Sequence, residues 1–334
     1  MKKILVFLLF ILCICGCSNV TNSSNGEINV LNWSSYIPQE VIDEFEKEYG
    51  IKVNYGTYSS NEELLAKISS SKEGTYDIIF PSDYMVELMI NKDMLMPLDK
   101  NKISNYRDVN RLFLNQKFDK GNIYSIPFLA ATTVIAINKN NIKDNILGYN
   151  DLLKEEYKNN IVLIDDQRII IGMALQANGY KMNEKDEYKL NKGKEWLLKL
   201  NKNIKAFDSD SPKTFMITDE VSIGVMWNAE AIIAKEYNPN IEIVYPLEGF
   251  AISLDNYTIL KGARNVENSY KFINYLLRSD VNKKITEEYP YINTTYSNMN
   301  LSYSELSYVL KNAEYVENIG SHILQYDKIW AEIK

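Results

Sequence analysis

The stretch INVLNWSSYIPQEVIDEFEKEYGIKVNY, Ile28–Tyr55, decides how the rest of the chain is read. Ile28-Asn29-Val30-Leu31 is a short apolar run that ends at a large aromatic, Trp33. Val41, Ile42, Phe45 and Tyr49 then fall at helical spacing over Gln39–Tyr49, with Pro38 near the start and Gly50 at the stop. Ile51-Lys52-Val53-Asn54-Tyr55 alternates, as a strand does. Strand, helix and strand with short connections make a β-α-β unit. Trp33 poses the first functional question. Tryptophan is highly buried on average, so a Trp at a strand end is ordinarily core; facing a ligand is the alternative.

The unit recurs downstream. Ser60-Asn61-Glu62-Glu63 has the form of a capping box and opens a helix carrying Leu64, Leu65 and Ile68. Asp77-Ile78-Ile79-Phe80 is a buried strand, and Pro81-Ser82-Asp83 starts a helix with Met85, Leu88 and Met89 inward. Within Ser125–Asn138 the long extended run Thr132–Ile137 could cross between lobes. Further strands are expected at Asn160–Ile164, Ser222–Met226, Ile241–Tyr245 and Tyr257–Leu260, the last returning toward the first lobe. Helices are expected at Ile169–Ala177, Tyr188–Leu200 and Ser269–Leu277, and from Tyr303 onward. Repeated β-α-β units argue for an α/β fold with a mostly parallel sheet covered by helices on both faces. The length suffices for two lobes with separate cores.

The first residues speak to compartment. Lys2 and Lys3 precede an apolar run, Ile4–Ile14, too short for a membrane span and right for a signal-peptide core. All three cysteines, Cys13, Cys15 and Cys17, lie here, so the chain beyond carries no disulfide, thiol nucleophile or thiolate metal site. Residues 18–27 are rich in Ser and Asn without periodicity and read as a flexible tether. The formal net charge is −7, and loss of Lys2 and Lys3 with the leader would make it more negative by two. An acidic surface disfavours nucleic acid and suits a cationic ligand.

Predicted strands end in residues with recognition chemistry: Trp33, then Ser82 with Tyr84, Asp165-Asp166, and Trp227. In open α/β sheets the ligand crevice lies beyond the carboxyl ends of the strands. Helix N-termini favour anions, yet acids occupy them here. Asp83 reads best as a first-turn acid complementing the helix dipole. For Asp165-Asp166 capping and recognition stay open, because one cap needs one Asp.

Together the segments N-W-S-S-Y-I-P, E-K-E-Y-G-I-K-V, Y-D-I-I-F-P-S-D-Y, Y-S-I-P-F, I-D-D-Q-R, A-F-D-S-D-S-P, G-V-M-W-N-A-E-A and N-Y-L-L-R-S-D-V resemble, in order, the spermidine/putrescine-binding proteins of bacterial ABC importers. The resemblance runs from Ile28 to the C-terminus. It implies a periplasmic-binding-protein fold: two α/β lobes, residues 28–132 with 254–297 and residues 133–253 with 298–334, joined by crossover strands around a cleft. Ile14-Cys15-Gly16-Cys17 resembles a lipobox within residues 1–17, which would place a lipid on Cys17 and anchor the protein at the extracytoplasmic face. The partners implied are a polyamine, permease and ATPase subunits on separate chains, and the membrane through the lipid; no nucleic acid, cofactor or metal is expected, and a monomer is.

Carried over by position, the family's ligand residues fall on Trp33, Ser34, Tyr36, Ser82, Tyr84, Asp166, Ser209, Trp227, Asp255 and Tyr289. The chemistry is coherent. Carboxylates pair with ammonium ends through charge-assisted hydrogen bonds. Trp and Tyr faces sandwich methylenes and hold cations, worth about 0.5–2 kcal/mol each. Asp166 and Asp255 would be the two ammonium anchors. The chain departs from the family at Ser35 and Ile169, where acids are frequent, at Ser253 and Ala130, where aromatics are, and at Val316, where a polar residue can stand. An unpaired buried ammonium is costly, so the reduced acid count favours a diamine such as putrescine over spermidine.

Enzyme motifs are missing: no G-x-S-x-G elbow, phosphate-binding glycine loop or H-E-x-x-H, and the one histidine, His322, has a helical, structural context. The rivals are a lipid-anchored enzyme and, among binding proteins, a receptor of the same fold for another small cationic or polar solute, such as iron or a sugar. The 24 tyrosines include no adjacent Tyr-Tyr pair for iron, while Trp33 and Trp227 alone do not exclude a sugar, which only the ordered resemblance argues against.

Overall fold

The computed structural model describes residues 25–334. The leader, the lipobox cysteine Cys17 and most of the tether lie outside the described residues. The strands are β1 (Glu27–Trp33), β2 (Lys52–Tyr58), β3 (Ile78–Ile79), β4 (Ser125–Asn138), β5 (Ile161–Leu163), β6 (Ile204–Phe207), β7 (Ile223–Trp227), β8 (Ile241–Val244), β9 (Phe250–Ile259), β10 (Ile292–Asn293) and β11 (Ala313–Tyr315). The α-helices are α1 (Gln39–Tyr49), α2 (Asn61–Ser70), α3 (Asp83–Asn91), α4 (Gln167–Ala177), α5 (Glu187–Leu200), α6 (Lys213–Ile217), α7 (Asn228–Tyr237), α8 (Val266–Leu276), α9 (Ser279–Glu288), α10 (Tyr303–Asn312) and α11 (Ile323–Ile333).

The opening unit forms as its pattern dictates. β1 pairs in parallel with β2 and β3, and α1 buries Val41, Ile42 and Phe45. Gly50 closes α1 in the left-handed region at φ 66°, where a residue without Cβ is at ease, and its N–H donates to the Glu46 carbonyl. At α2 the Ser60 hydroxyl accepts from the Glu63 N–H, but Glu63 reaches back to Ser59 N–H and Oγ rather than to Ser60. The reciprocal half of the capping box thus closes one residue early.

The mostly parallel sheet expected from β-α-β repetition is corrected by the two longest strands. β4 runs antiparallel to β9 from Ser125 to Thr132; from Thr133 onward it pairs instead with β7 and β8, also antiparallel. One strand therefore belongs to two sheets. The first contains β2-β1-β3-β9-β4, and the second contains β4-β7-β5-β6 with parallel pairing around β5. β9 is longer than its predicted C-terminal half and starts at Phe250, where it pairs in parallel with β11. Both crossing strands are buried at every position, which is why they read as continuous runs rather than alternations.

Two large clusters of buried side chains form, the second reaching from the second sheet onto the first through Leu31, Ile79 and Met85. One gathers Ile28, Val30, Phe45, Phe80, Phe128, Tyr257 and Phe272; the other centres on Ile135, Leu163, Ile171, Leu197 and Val225. A third cluster, with Phe113, Ala130, Phe250, Ile252, Ile292 and Leu306, packs beside the strands that cross. Asp77 ties the first sheet to α8. Its buried carboxylate accepts from the backbone N–H of Asn29, Arg264 and Asn265 and from the side chains of Asn29 and Asn265. Donors from β1 and from the start of α8, far apart in sequence, thus converge on one carboxylate. Among the described residues no helix is long and apolar enough to cross a membrane.

Candidate ligand-binding cleft

A cleft opens where the strand ends of both sheets meet, enclosing about 900 Å³ with its solvent-open mouth included. Nine of the ten residues proposed from sequence line it: Trp33, Ser34, Tyr36, Ser82, Tyr84, Asp166, Ser209, Trp227 and Asp255. Tyr289 does not. It caps the end of α9 and is half-buried against the first core, while Tyr291, two residues on, faces the cleft with its ring centroid 4.6 Å from that of Tyr36. Pro290 between the two tyrosines sits in a tight turn closed by the Tyr291 N–H, which donates to the Tyr289 carbonyl at 2.7 Å.

Asp255 is the most constrained group of the cleft. It lies on β9, 3% exposed, and Ser82 bridges to it across the strand. Tyr36 Oη donates to Oδ2 at 2.7 Å, and Ser82 Oγ donates to Oδ1 at 2.9 Å. Asn61 Nδ2 donates in turn to Ser82 Oγ at 3.0 Å, so a buried relay of donors ends on the carboxylate. Burial pushes the Asp255 carboxyl up to about 6; the Tyr36, Ser82 and Trp33 donors oppose that rise without cancelling it. Tyr36 rests on Phe128, which packs on Phe80 and Tyr257, so an aromatic bed fixes the donor's position.

The turn after β1 explains Trp33. Its Nε1–H donates to the Phe80 carbonyl at 2.9 Å, and its ring sits 4.6 Å from that of Tyr58. One face is packed and the side chain remains half-exposed to the cleft, so the opening question has a mixed answer: core on one side, cleft on the other. Ser35 takes a left-handed φ of 56° in this turn and also lines the cleft.

The adjacent acids after β5 divide their work. Asp166 caps α4, its Oδ1 accepting from Arg168 N–H at 2.8 Å and Ile169 N–H at 3.1 Å. Burial pushes its carboxyl up, with the Glu62 charge adding to the effect. Asp165 is paired with Lys334 of the C-terminal helix, and its carbonyl accepts from Ser209 Oγ. Asp83 stays out of the cleft as the first residue of α3, fully buried, its carboxyl pushed well up by burial and one oxygen without a partner. Tyr84 joins α2 and α4: its ring lies 4.3 Å beneath the Arg168 guanidinium, which bonds Glu62 at 3.0 Å.

Of the positions where this chain departs from the resembled family, Ser35, Ile169, Ser253 and Val316 line the cleft. Ala130 does not; it packs with Phe250 and Ile292, and Ala131 takes the inward face. Sequence reading also missed Glu230, Asp210, Tyr58 and Asn61, all of which line the cleft. Glu230 had a signal: it lies in the first turn of the helix that starts directly after Trp227, at the same strand end. The described lining thus holds five carboxylates, Asp165, Asp166, Asp210, Glu230 and Asp255, and no Lys, Arg or His. Such a lining selects cations.

Residues 40–302 match the model of the bacterial extracellular solute-binding protein family. The chain is 38% identical over 277 residues to the spermidine/putrescine-binding periplasmic protein of Salmonella typhimurium, covering 83% of this chain and 80% of that one. It is 33% identical over 329 residues to the protein of the same name from Escherichia coli, covering 96% and 94%. Among solved structures, the spermidine/putrescine ABC transporter substrate-binding protein of Streptococcus pneumoniae superposes with a TM-score of 0.78 at 33% identity, over 92% of this chain and 98% of that one. A fructose-6-phosphate-bound periplasmic binding protein from Actinobacillus pleuropneumoniae, at 18% identity and a TM-score of 0.72 over 92% and 97%, shares the fold alone.

Proposed function

The chain belongs to the bacterial extracellular solute-binding protein family, and from that premise we propose that it captures an extracytoplasmic polyamine in the cleft and delivers it to an ABC permease. The observation that carries the ligand class is the lining itself: carboxylates without a single basic side chain among the described residues, set between Trp33, Trp227 and tyrosine rings. A linear chain of ammonium groups and methylenes fits that alternation. Asp255, held by Tyr36 and Ser82, receives one ammonium, and Asp166 receives the other through the oxygen its helix cap leaves free. Ser34, Ser209 and Tyr84 complete the polar lining.

The lobes are residues 28–132 with 254–297 and residues 133–253 with 298–334. The partner exchange of β4 between Thr132 and Thr133 supports that division. The working cycle is hinge closure on ligand and release at the transporter, with no catalytic step. A lipid on Cys17 and the tether of residues 18–27 hold the monomer at the membrane, and the permease and ATPase are separate chains.

The test is thermal unfolding of the purified protein against putrescine, cadaverine, spermidine, spermine, sugars and ferric ion. A ligand of the folded state at a hundredfold excess over its Kd stabilises by about 2.7 kcal/mol, which a melting scan resolves. A shift with diamines and none with sugars or iron is expected. No shift with any polyamine at saturation overturns the ligand class.

A further inference from the structure

The cleft carries more acids than a diamine needs, and two of them already have cations of their own. Asp165 is paired with Lys334 at the rim. Glu230, deeper and only 7% exposed, takes Lys213 on both oxygens, at 2.9 and 2.8 Å. Lys213 does not line the cleft: it approaches Glu230 from α6, behind the surface a ligand would touch. Burial pushes the Tyr291 phenol up and the nearby Glu230 charge adds to the rise, which sets Glu230 on the Tyr36–Asp255 side of the cleft. No such partner stands at Asp255, whose described contacts are the hydroxyls of Tyr36 and Ser82.

Resting on the polyamine reading, we propose that Lys213 is a built-in third ammonium: it neutralises Glu230 and so restricts the cleft to ligands with two charged ends. A triamine entering beside Glu230 would bring its extra ammonium to a carboxylate with both oxygens taken, and the Lys213 charge would oppose it. The ligand's third cation would be desolvated without a partner, which binding does not repay. A diamine uses Asp166 and Asp255 and leaves the internal pair intact. Lys213, far in sequence from the departures at Ser35 and Ile169, thereby sets the same preference.

Lys213→Met keeps the aliphatic stem, removes the charge and frees Glu230 to receive a ligand ammonium. Titration calorimetry of the purified protein and its variants with putrescine and with spermidine reads the outcome. Wild type should favour putrescine, and Lys213→Met should move the putrescine-to-spermidine Kd ratio toward spermidine by about tenfold or more. The gain should vanish in Lys213→Met/Glu230→Gln, and Lys213→Arg, which restores a cation at Glu230, should reverse it. If Lys213→Met binds putrescine but its ratio stays within about twofold of wild type, the inference is wrong while the polyamine reading stands. Should Lys213→Met fail to fold, Lys213→Gln/Glu230→Gln removes both charges at once and must also leave the ratio near wild type, since a shift there would assign the preference to something other than an exposed Glu230. Wild type preferring spermidine overturns the inference alone; wild type binding neither amine overturns both.

Discussion

Asp255→Asn tests the proposed ammonium anchor, and its expected effects have opposite signs on binding and on stability. In the free protein the carboxyl titrates near 6 rather than at 3.8, because burial disfavours its charged form more than Tyr36 and Ser82 favour it. An ammonium ligand requires the carboxylate, so affinity should be flat above about pH 7 and fall about tenfold per pH unit below about pH 6. At about pH 8 the Asn variant loses a buried charge partner, worth about 2–5 kcal/mol, which weakens the Kd by roughly thirtyfold or more. Its binding should also lose the acid-side slope.

Stability moves the other way. A carboxyl whose folded pKa is raised holds its proton more tightly in the folded state. Its favourable contribution is complete below 3.8 and is lost as pH rises through about 6. The rise from 3.8 to about 6 corresponds to about 3 kcal/mol, the upper bound on what the ionised carboxylate costs the free protein at neutral pH. Asp255→Asn should therefore melt higher than ligand-free wild type at about pH 8, with the advantage gone near about pH 4. Calorimetric titration from about pH 8 to about pH 5, beside melting scans from about pH 8 to about pH 4, measures both arms. An Asn variant that binds within about threefold of wild type, or a wild-type affinity that does not change on acidification, would refute Asp255 as an ammonium anchor.

Other groups give separable readouts. Ser82→Ala removes a donor to the Asp255 carboxylate, so the acid limb of the binding profile should move to higher pH, visible as a larger loss of affinity between about pH 8 and about pH 6 than wild type shows. Trp227→Ala should weaken polyamine binding by about 0.5–2 kcal/mol with little loss of melting temperature, because the side chain is only half-buried; ligand-induced tryptophan fluorescence change should shrink in parallel. Asp77→Ala strips the partners from buried N–H groups on β1 and at the start of α8 and should destabilise by about 3 kcal/mol or more in urea unfolding, leaving the ligand preference of the folded fraction unchanged.

The fold was legible where local punctuation was strong. Pro38 and Gly50 bracket α1, and the predicted and observed helix coincide. The antiparallel crossing strands were not legible, because a fully buried strand carries no alternation to show which neighbour it pairs with. The same gap misplaced Ala130. The register of β4 against β9 shifts between Pro127 and Leu129, and such an irregularity resets which residues downstream face inward, so Ala131 reaches the cleft. Tyr289 and Tyr291 differ only in the turn that Pro290 makes. For the acids the limit is deeper. A sequence can count carboxylates near a strand end, but whether one is available to a ligand depends on a cation arriving from elsewhere. Lys334 reaches Asp165 from the end of the chain, and Lys213 reaches Glu230 from the preceding helix. Neither pairing leaves a mark in spacing or composition, so the free charge of the cleft becomes readable only once the chain is folded.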